Sequence, residues 1–472
     1  MGGNIVIVGG GLAGLTTATR ATELGLKPTV LEQGADTDYL CNSRVTAGVV
    51  HIASESPVEE PKFLTDKIAR ITENFVDSAV ISPIIGDAHR AIKWLQGHAV
   101  KFGRISPKPR HHWVLAPLRM ARPGLDPTGW RGRAGDALLR LLTDKIRKGG
   151  GEIVLGTKAK DLLFDGAKCV GVRAVRDGKP AEYRGDAVVL ADGGFQADEE
   201  LVRRFITKSP ERVQRRNAGT GTGDAVRMLE AAGAKLVGMK YFYGHLMSRD
   251  AMKREDLWPY PGLDSLAVAG IVVDSKGERR FDEGLGGVYL SNAMAWSEDP
   301  LGFWAIFDDA IWNGPGKEEL FSIGANPGLQ RLGAPMFQAP DIATLESQAG
   351  FAPGSIAKTV KAHNEALAGN ALSSLTPKRS TGLPAAMQIN TPPFYAVPLC
   401  TGLTFTMGGA AVDSDLKVRR QDNSIIERLY VAGKSAGGLE GGETVGYVGG
   451  LSLSVITGIR AAESIAREIS GG

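Results

Sequence analysis

Cysteine is scarce: Cys41, Cys169 and Cys400 are the only three in 472 residues, widely separated and without a CxxC spacing. That excludes a disulfide framework, a zinc ribbon and a thiolate-held cluster, and there is no CxxCH for haem. A charge of one dominant sign is also lacking. With 55 basic and 52 acidic residues the net charge is +3, so nothing favours nucleic acid or an anionic membrane as partner. No apolar run reaches the ~18 residues of a membrane-spanning helix. The first strand pattern begins at about residue 4, which leaves no leader ahead of it, and the expected setting is the reducing cytoplasm. The chain is instead rich in glycine, with 62 residues, and its 43% hydrophobic content can fill a core of two or three domains.

The glycines cluster where they carry chemistry. Ile5-Val6-Ile7-Val8 reads as a buried strand, runs into Gly9-Gly10-Gly11-Leu12-Ala13-Gly14, and is followed by a helical pattern. Strand, glycine turn and helix in that order form a dinucleotide fingerprint. Gly9 allows the turn, Gly11 lets backbone approach a pyrophosphate, and Gly14 lets helix and strand pack. The phosphates then meet the free N–H groups of a helix start. A second strand pattern, Pro28 to Leu31, ends at Glu32, at the spacing of a ribose-binding acid, and Gln33 follows it. An acid there favours FAD or NAD over NADP.

Further along, Asn42-Ser43-Arg44-Val45-Thr46-Ala47-Gly48 reads as a surface loop or as a loop laid against a flat ring. The stretch 104–129 is basic and irregular, and its neighbouring His111 and His112 read as solvated. A helix is expected over Gly135 to Lys148, then a strand at Glu152 to Leu155, and a hairpin over Lys160 to Val175 about Asp165-Gly166. The run Ala187 to Leu190 is a buried strand ending in Ala191-Asp192-Gly193, and Gly219 to Gly223 opens a helix with Thr222 and Asp224 at its mouth. Leu266 to Val273 reads as a strand, and Arg280 and Glu283 as a structural ion pair. Finally, Leu451, Leu453, Ile456, Ile459 and Ala462 give a C-terminal helix from about Gly450 an apolar stripe.

Taken together, GGGLAG with Glu32, NSRVTAG, VVLADGGF, GTGTGDA, the Arg428 to Lys434 segment and Gly446 to Leu453 resemble the flavin-binding segments of the fumarate reductase and succinate dehydrogenase flavoprotein superfamily. The resemblance implies an α/β fold: a Rossmann-like FAD-binding domain at 1–236 and 384–472, with an inserted α+β capping domain at 237–383. Without a match to the flavin-linking histidine of respiratory members, it implies non-covalent FAD. The implied cofactor contacts are Gly9, Gly11, Leu12, Ala13, Gly14, Glu32, Gln33, Asn42, Ser43, Thr46, Ala47, Gly48, Ala159, Ala191, Asp192, Gly193, Thr222, Asp224, Gly433, Lys434, Gly450, Leu451, Ser452 and Leu453.

The substrate segments depart from the fumarate reductases. Thr404 and Phe405 stand where those carry histidines, Trp312 follows Phe307-Asp308-Asp309 in place of a proton-donating arginine, and Tyr447 replaces a substrate-clamping arginine. A dicarboxylate needs cationic partners, so fumarate is disfavoured as substrate. Tyr447 before a double glycine and Pro392 to Pro398 are closer in pattern to the 3-ketosteroid dehydrogenase-like and tricarballylate dehydrogenase-like branches. That resemblance implies desaturation of a C–C bond α,β to a carbonyl, in a cyclic ketone, a ketosteroid-like compound or a small organic acid, with an outside electron acceptor. Tyr395 and Tyr447 are the candidate polarising or basic groups; Glu440, Glu443 and His245 are rivals. Two alternatives stay open: an ene-reductase on a non-dicarboxylate substrate, and a flavin-carrying electron-transfer subunit.

Overall fold

The computed structural model describes residues 2–119, 127–318 and 324–471; part of the expected irregular stretch, 120–126, lies outside them. The main elements run β1 (Asn4–Val8), α1 (Leu12–Glu23), β2 (Lys27–Leu31), α2 (Ala134–Lys148), β3 (Glu152–Val154), β4 (Thr157–Asp165), β5 (Lys168–Arg176) and β6 (Ala187–Leu190). Then come β7 (Phe242–Ser248), α3 (Asp264–Ala269), β8 (Ile271–Asp274), β9 (Phe303–Asp308), β10 (Phe394–Thr406), β11 (Ile425–Val431) and α4 (Gly450–Gly471).

One sheet has the order β3-β2-β1-β6-β11-β5-β4. Its pairings from β3 to β5 are parallel, and Ile7 lies opposite both Val30 and Val189. Apolar residues without alternation suit a strand buried on both faces. Ile5, Val6, Ile7 and Val8 are all buried, and each such side chain contributes about 1.5–3 kcal/mol. Helix α1 packs between α4 and α2 beside this sheet. The stripe of α4 is buried as its periodicity predicts, and Leu451, Leu453, Ile456, Ile459 and Ala462 all join the core. The expected hairpin is β4–β5, paired antiparallel.

A second sheet gathers β8, β9 and β10, with β7 and Phe337–Ala339 both antiparallel on β10. It has its own core, built from residues such as Leu246, Ile271, Phe307 and Val397. The long β10 therefore belongs to this sheet, although it lies beyond residue 383.

Two local expectations need correcting. The run from Leu266 to Val273 is not one strand: Leu266 to Ala269 belong to α3, and β8 begins only after Gly270. All these side chains are buried, and a wholly buried apolar run has no periodicity to separate helix from strand. The partner of Glu283 is Arg279, at 2.5 Å, rather than Arg280, which turns outward to Asp274 and Glu278. The four-residue spacing brings Arg279 and Glu283 together in a buried site.

Candidate active site

The parallel strands β1, β2, β6 and β11 all deliver loops to one end of the sheet, the place where ligands bind in open α/β folds. A cavity of about 520 Å³ opens there. Its first half is the glycine cradle. Gly9 has φ +103°, and a Cβ on it would lie 2.6 Å from the Ala191 carbonyl oxygen; on Gly14 it would lie 2.0 Å from the Gly9 oxygen. These two glycines are required by the fold. Gly11 is different, because a Cβ there would find nothing nearer than Ser43 Oγ at 3.7 Å. The space over Gly11 is thus left for a ligand. Helix α1 has no side chain at its N-cap Gly11 and no acidic residue in its first turn; Ser43 Oγ accepts the first N–H, from Leu12, at 3.1 Å, and the rest of the helix start is left for an anion.

Around the cradle, acceptors and donors are held in place. Glu32 is buried and takes the N–H of Gly10 (2.8 Å) and of Gly34 (2.7 Å). Burial pushes its carboxyl above the usual range, against the pull of those N–H groups. Asn42 bridges the loop to Thr404 and Ala218, at 2.8 Å each. Asp192, pushed up to about 7 by burial, accepts from Ala225 N and Ser435 Oγ. A dinucleotide fits this half: a glycine bed, an open helix start and an acid at the end of β2.

The second half is a chamber walled by rings. Tyr243 stacks on Phe405 (centroids 5.0 Å apart) and against Tyr447 (4.1 Å), with Trp258 and Tyr260 also on the lining. Three polar side chains form a chain along this wall. Asp264 takes the Leu246 N–H at 2.8 Å and a short bond from His245 Nδ1, and His245 Nε2 lies 2.7 Å from Tyr243 Oη. With Nδ1–H committed to Asp264, Nε2 is the acceptor for the phenol. Tyr447 Oη accepts the Gly450 N–H at 2.9 Å, at the start of α4, and burial holds its phenol well above the usual range. His51, edge-on to Tyr447, is pushed down to about 3 by burial and by Arg110, His111 and Lys434.

The profile of one family, described as the FAD binding domain, matches residues 4–446. The chain belongs to the FAD binding domain family. It is similar to the NADH:fumarate oxidoreductase of Klebsiella pneumoniae (strain 342), at 25% identity over 94% of this chain and 45% of that protein. The chain thus spans under half the length of that relative. It is also similar to the 3-oxosteroid 1-dehydrogenase of Mycobacterium tuberculosis, at 24% identity over 83% of this chain and 73% of that protein. In fold it matches the 3-ketosteroid Δ1-dehydrogenase of Sterolibacterium denitrificans, with a TM-score of 0.73 at 19% identity, covering 99% of both chains. The cofactor is FAD, and the fold is that of FAD-binding flavoproteins.

Most of the expected FAD contacts line the cavity: Gly9, Gly11, Leu12, Ala13, Glu32, Gln33, Asn42, Ser43, Thr46, Ala47, Ala159, Ala191, Asp192, Gly193, Thr222, Asp224, Gly433, Lys434, Gly450 and Leu451. Gly14, Gly48, Ser452 and Leu453 stand behind that lining; Ser452 Oγ donates to the His51 carbonyl and Leu453 sits in the core. Of the catalytic candidates, Tyr447 and His245 line the chamber. Tyr395 does not: it stacks on Phe307 in the core of the second sheet and bonds Asp309 at 3.1 Å. Glu440 is buried behind the wall, bonded to Lys434 and to the Val448 N–H, while Glu443 pairs with Lys240 in solvent. His111, expected in solvent, is buried on the cavity lining, whereas His112 bonds the Pro107 carbonyl at the surface. Sequence reasoning missed Arg110, Arg216, Asp264, Trp258 and Tyr260, which come from scattered segments with no shared spacing.

Proposed function

We propose that the chain is an FAD-dependent oxidoreductase that moves two hydrogens across a carbon–carbon bond next to a carbonyl, with desaturation as the forward direction. The observation that carries this reading is a single cavity running from the glycine cradle to a wall bearing the hydrogen-bonded series Asp264, His245, Tyr243. Bound FAD supplies the hydride-accepting chemistry. The chain's own residues do the rest. Tyr447 Oη already accepts from Gly450 N, which leaves the phenol hydrogen free to bond a substrate carbonyl oxygen, and its raised pKa keeps that hydrogen in place. Tyr243 takes the α-proton as its own moves to His245 Nε2, and Asp264 holds the imidazole in the accepting tautomer. The ring-lined chamber keeps water away from the reacting carbon. Gly450 and Leu451, at the start of α4, also line the cavity, where the helix dipole favours negative charge.

The same groups run backwards as a proton donor, and the relatives support a second reading as an ene-reductase, one being named for fumarate and another for acrylate. In this reading the lobes are 1–236 with 384–472 around FAD and 237–383 as the cap; the separate core of the second sheet supports a distinct cap, but it also takes in residues of β10 up to Leu399. FAD is held without a covalent bond, electrons leave to an outside acceptor, and the setting is cytoplasmic; among the described residues no helix is long and apolar enough to cross a membrane.

The test is anaerobic. Oxidised holoprotein is titrated with cyclic ketones, ketosteroids and saturated acids, and photoreduced holoprotein with their unsaturated counterparts, while flavin absorbance is followed. Bleaching by a saturated compound supports desaturation; recolouring by an unsaturated one alone supports reduction. Silence in both directions with FAD fully bound overturns both readings in favour of an electron-carrying subunit.

A further inference from the structure

The acids and bases along the cavity are not all paired with one another. Its acidic residues are all engaged: Glu32 and Asp192 by backbone and hydroxyl donors, Asp224 by Lys158, Asp264 by His245, and Glu318 by Lys108. Among the cations, Lys158 and Lys434 have carboxylate partners, and Arg119 is tied to the Val45 carbonyl. Arg110 and Arg216 line the same cavity and make no ion pair among the described residues. Arg110 gives its Nε–H to His111, at 3.0 Å.

Arg216 is held as a binding group is held. Its Nε donates to the Pro259 carbonyl at 3.0 Å, Nη1 donates to Thr404 Oγ1 at 3.0 Å, and its guanidinium lies 5.0 Å from the centre of the Tyr260 ring. Its stem lies along β10, where a Cβ on Gly402 would come within 3.0 Å of Arg216 Cδ. Backbone, hydroxyl and ring thus fix a cation from three sides and leave its Nη2 edge without a hydrogen-bond partner among the described residues. It stands in the reaction compartment: it lines the same cavity as Tyr243, and its partner Thr404 precedes Phe405 on β10.

We propose that Arg216, aided by Arg110, forms a carboxylate subsite, and that the substrate is a monocarboxylate whose flat apolar body lies against the wall formed by Tyr243, Phe405 and Tyr447. This rests on the reading above that the chamber receives the substrate. A planar guanidinium with preset geometry matches a carboxylate edge-on, and a charge-assisted bond of that kind is stronger than one between neutral groups. The same position explains how an acid is bound although the segment around Tyr447 lacks the arginine of the fumarate reductases.

The experiment measures binding, not turnover. Oxidised holoprotein is titrated with cinnamate, with 3-phenylpropanoate and with their amides, and the shift of the flavin's visible spectrum and the heat of binding are read. The acids should bind at least about tenfold more tightly than the amides, and Arg216→Gln should remove that preference while leaving amide binding and FAD content unchanged. Arg216→Lys should restore part of it, since charge returns without the fork. Equal affinity for acid and amide, a preference untouched by Arg216→Gln, or no binding of any probe would each overturn the subsite. Arg216-dependent binding of acids that neither reduce nor reoxidise the flavin would keep the subsite and defeat the redox reading. Flavin bleaching by neutral ketones that Arg216→Gln leaves unchanged would do the reverse.

Discussion

Replacing Gly14 by alanine sets two effects of opposite sign against each other. Gly14 lies inside α1, where alanine is favoured over glycine by about 1 kcal/mol. The new Cβ would stand 2.0 Å from the Gly9 carbonyl oxygen, and ordinary contact begins at 3.4 Å, so helix and loop must separate by about 1.4 Å. Neither partner is a flexible side-chain end. Overpacking of this kind costs about 1–3 kcal/mol, which outweighs the propensity gain. The separation also moves the first-turn N–H groups away from the phosphates by more than a hydrogen bond tolerates. Gly14→Ala should therefore weaken FAD binding by about ten- to a hundredfold and lower Tm, most visibly in the holoprotein, where bound ligand adds to stability. Gly86→Ala is the control. Gly86 ends the helix Ser78–Gly86 and a Cβ there would meet nothing within 4 Å, so alanine should be neutral or slightly stabilising. Flavin fluorescence on titrating apoprotein with FAD, together with thermal melts, decides the matter. Full-strength FAD binding and an unchanged Tm in Gly14→Ala would refute the close-packing argument.

Other expectations are as specific. Tyr243→Phe should lower kcat by about 10²–10⁴, and Asp264→Asn by about ten- to a hundredfold with a shifted pH profile, both with FAD content and KM little changed; equal losses in KM would point to binding instead. His51 has a folded pKa of about 3, below its unfolded value near 6.5, so the unfolded chain takes up the proton first. Its contribution to stability is complete above pH 6.5 and is lost as pH falls towards 3, at up to about 1.4 kcal/mol per pH unit. The pH dependence of apoprotein unfolding should flatten across that window in His51→Asn. The buried Arg279–Glu283 pair predicts a loss of about 3–5 kcal/mol for Glu283→Gln in denaturant unfolding, while Glu443→Gln, on the exposed pair with Lys240, should change stability by under about 1 kcal/mol.

The cradle was legible because its chemistry depends on neighbours in sequence. Gly9, Gly11, Gly14 and Glu32 sit at spacings set by one turn, one helix and one strand, and the same logic located Asn42, Asp192 and Thr222 at the ends of elements. The chamber was not legible in that way. Tyr243, Asp264, Arg216 and Tyr260 meet only when β7, α3 and two loops fold over β10, and no repeat or motif joins them. His245 could be found as a histidine in aromatic company, but its link to Asp264 is tertiary.

Where the sequence misled, pattern was short of information. Tyr395 lies on a strand buried on both faces, so alternation could not tell which side it presents, and its resemblance to a substrate segment placed it in the wrong compartment. The run through Leu266 and Val273 failed for the same reason, every side chain being buried whether helical or extended. Arg279 and Arg280 are adjacent and chemically identical, and only the fold chooses which one faces Glu283.

The most direct test of the central claim is a single turnover analysed for mass. Stoichiometric holoprotein is mixed anaerobically with the compound that changes the flavin's colour, quenched, and its small molecules are measured by mass spectrometry. The account predicts one molecule of product per FAD, differing from the starting compound by two hydrogens at the carbon pair next to its carbonyl. A full flavin colour change with the carbon compound recovered unaltered would contradict it and leave the chain a carrier of electrons.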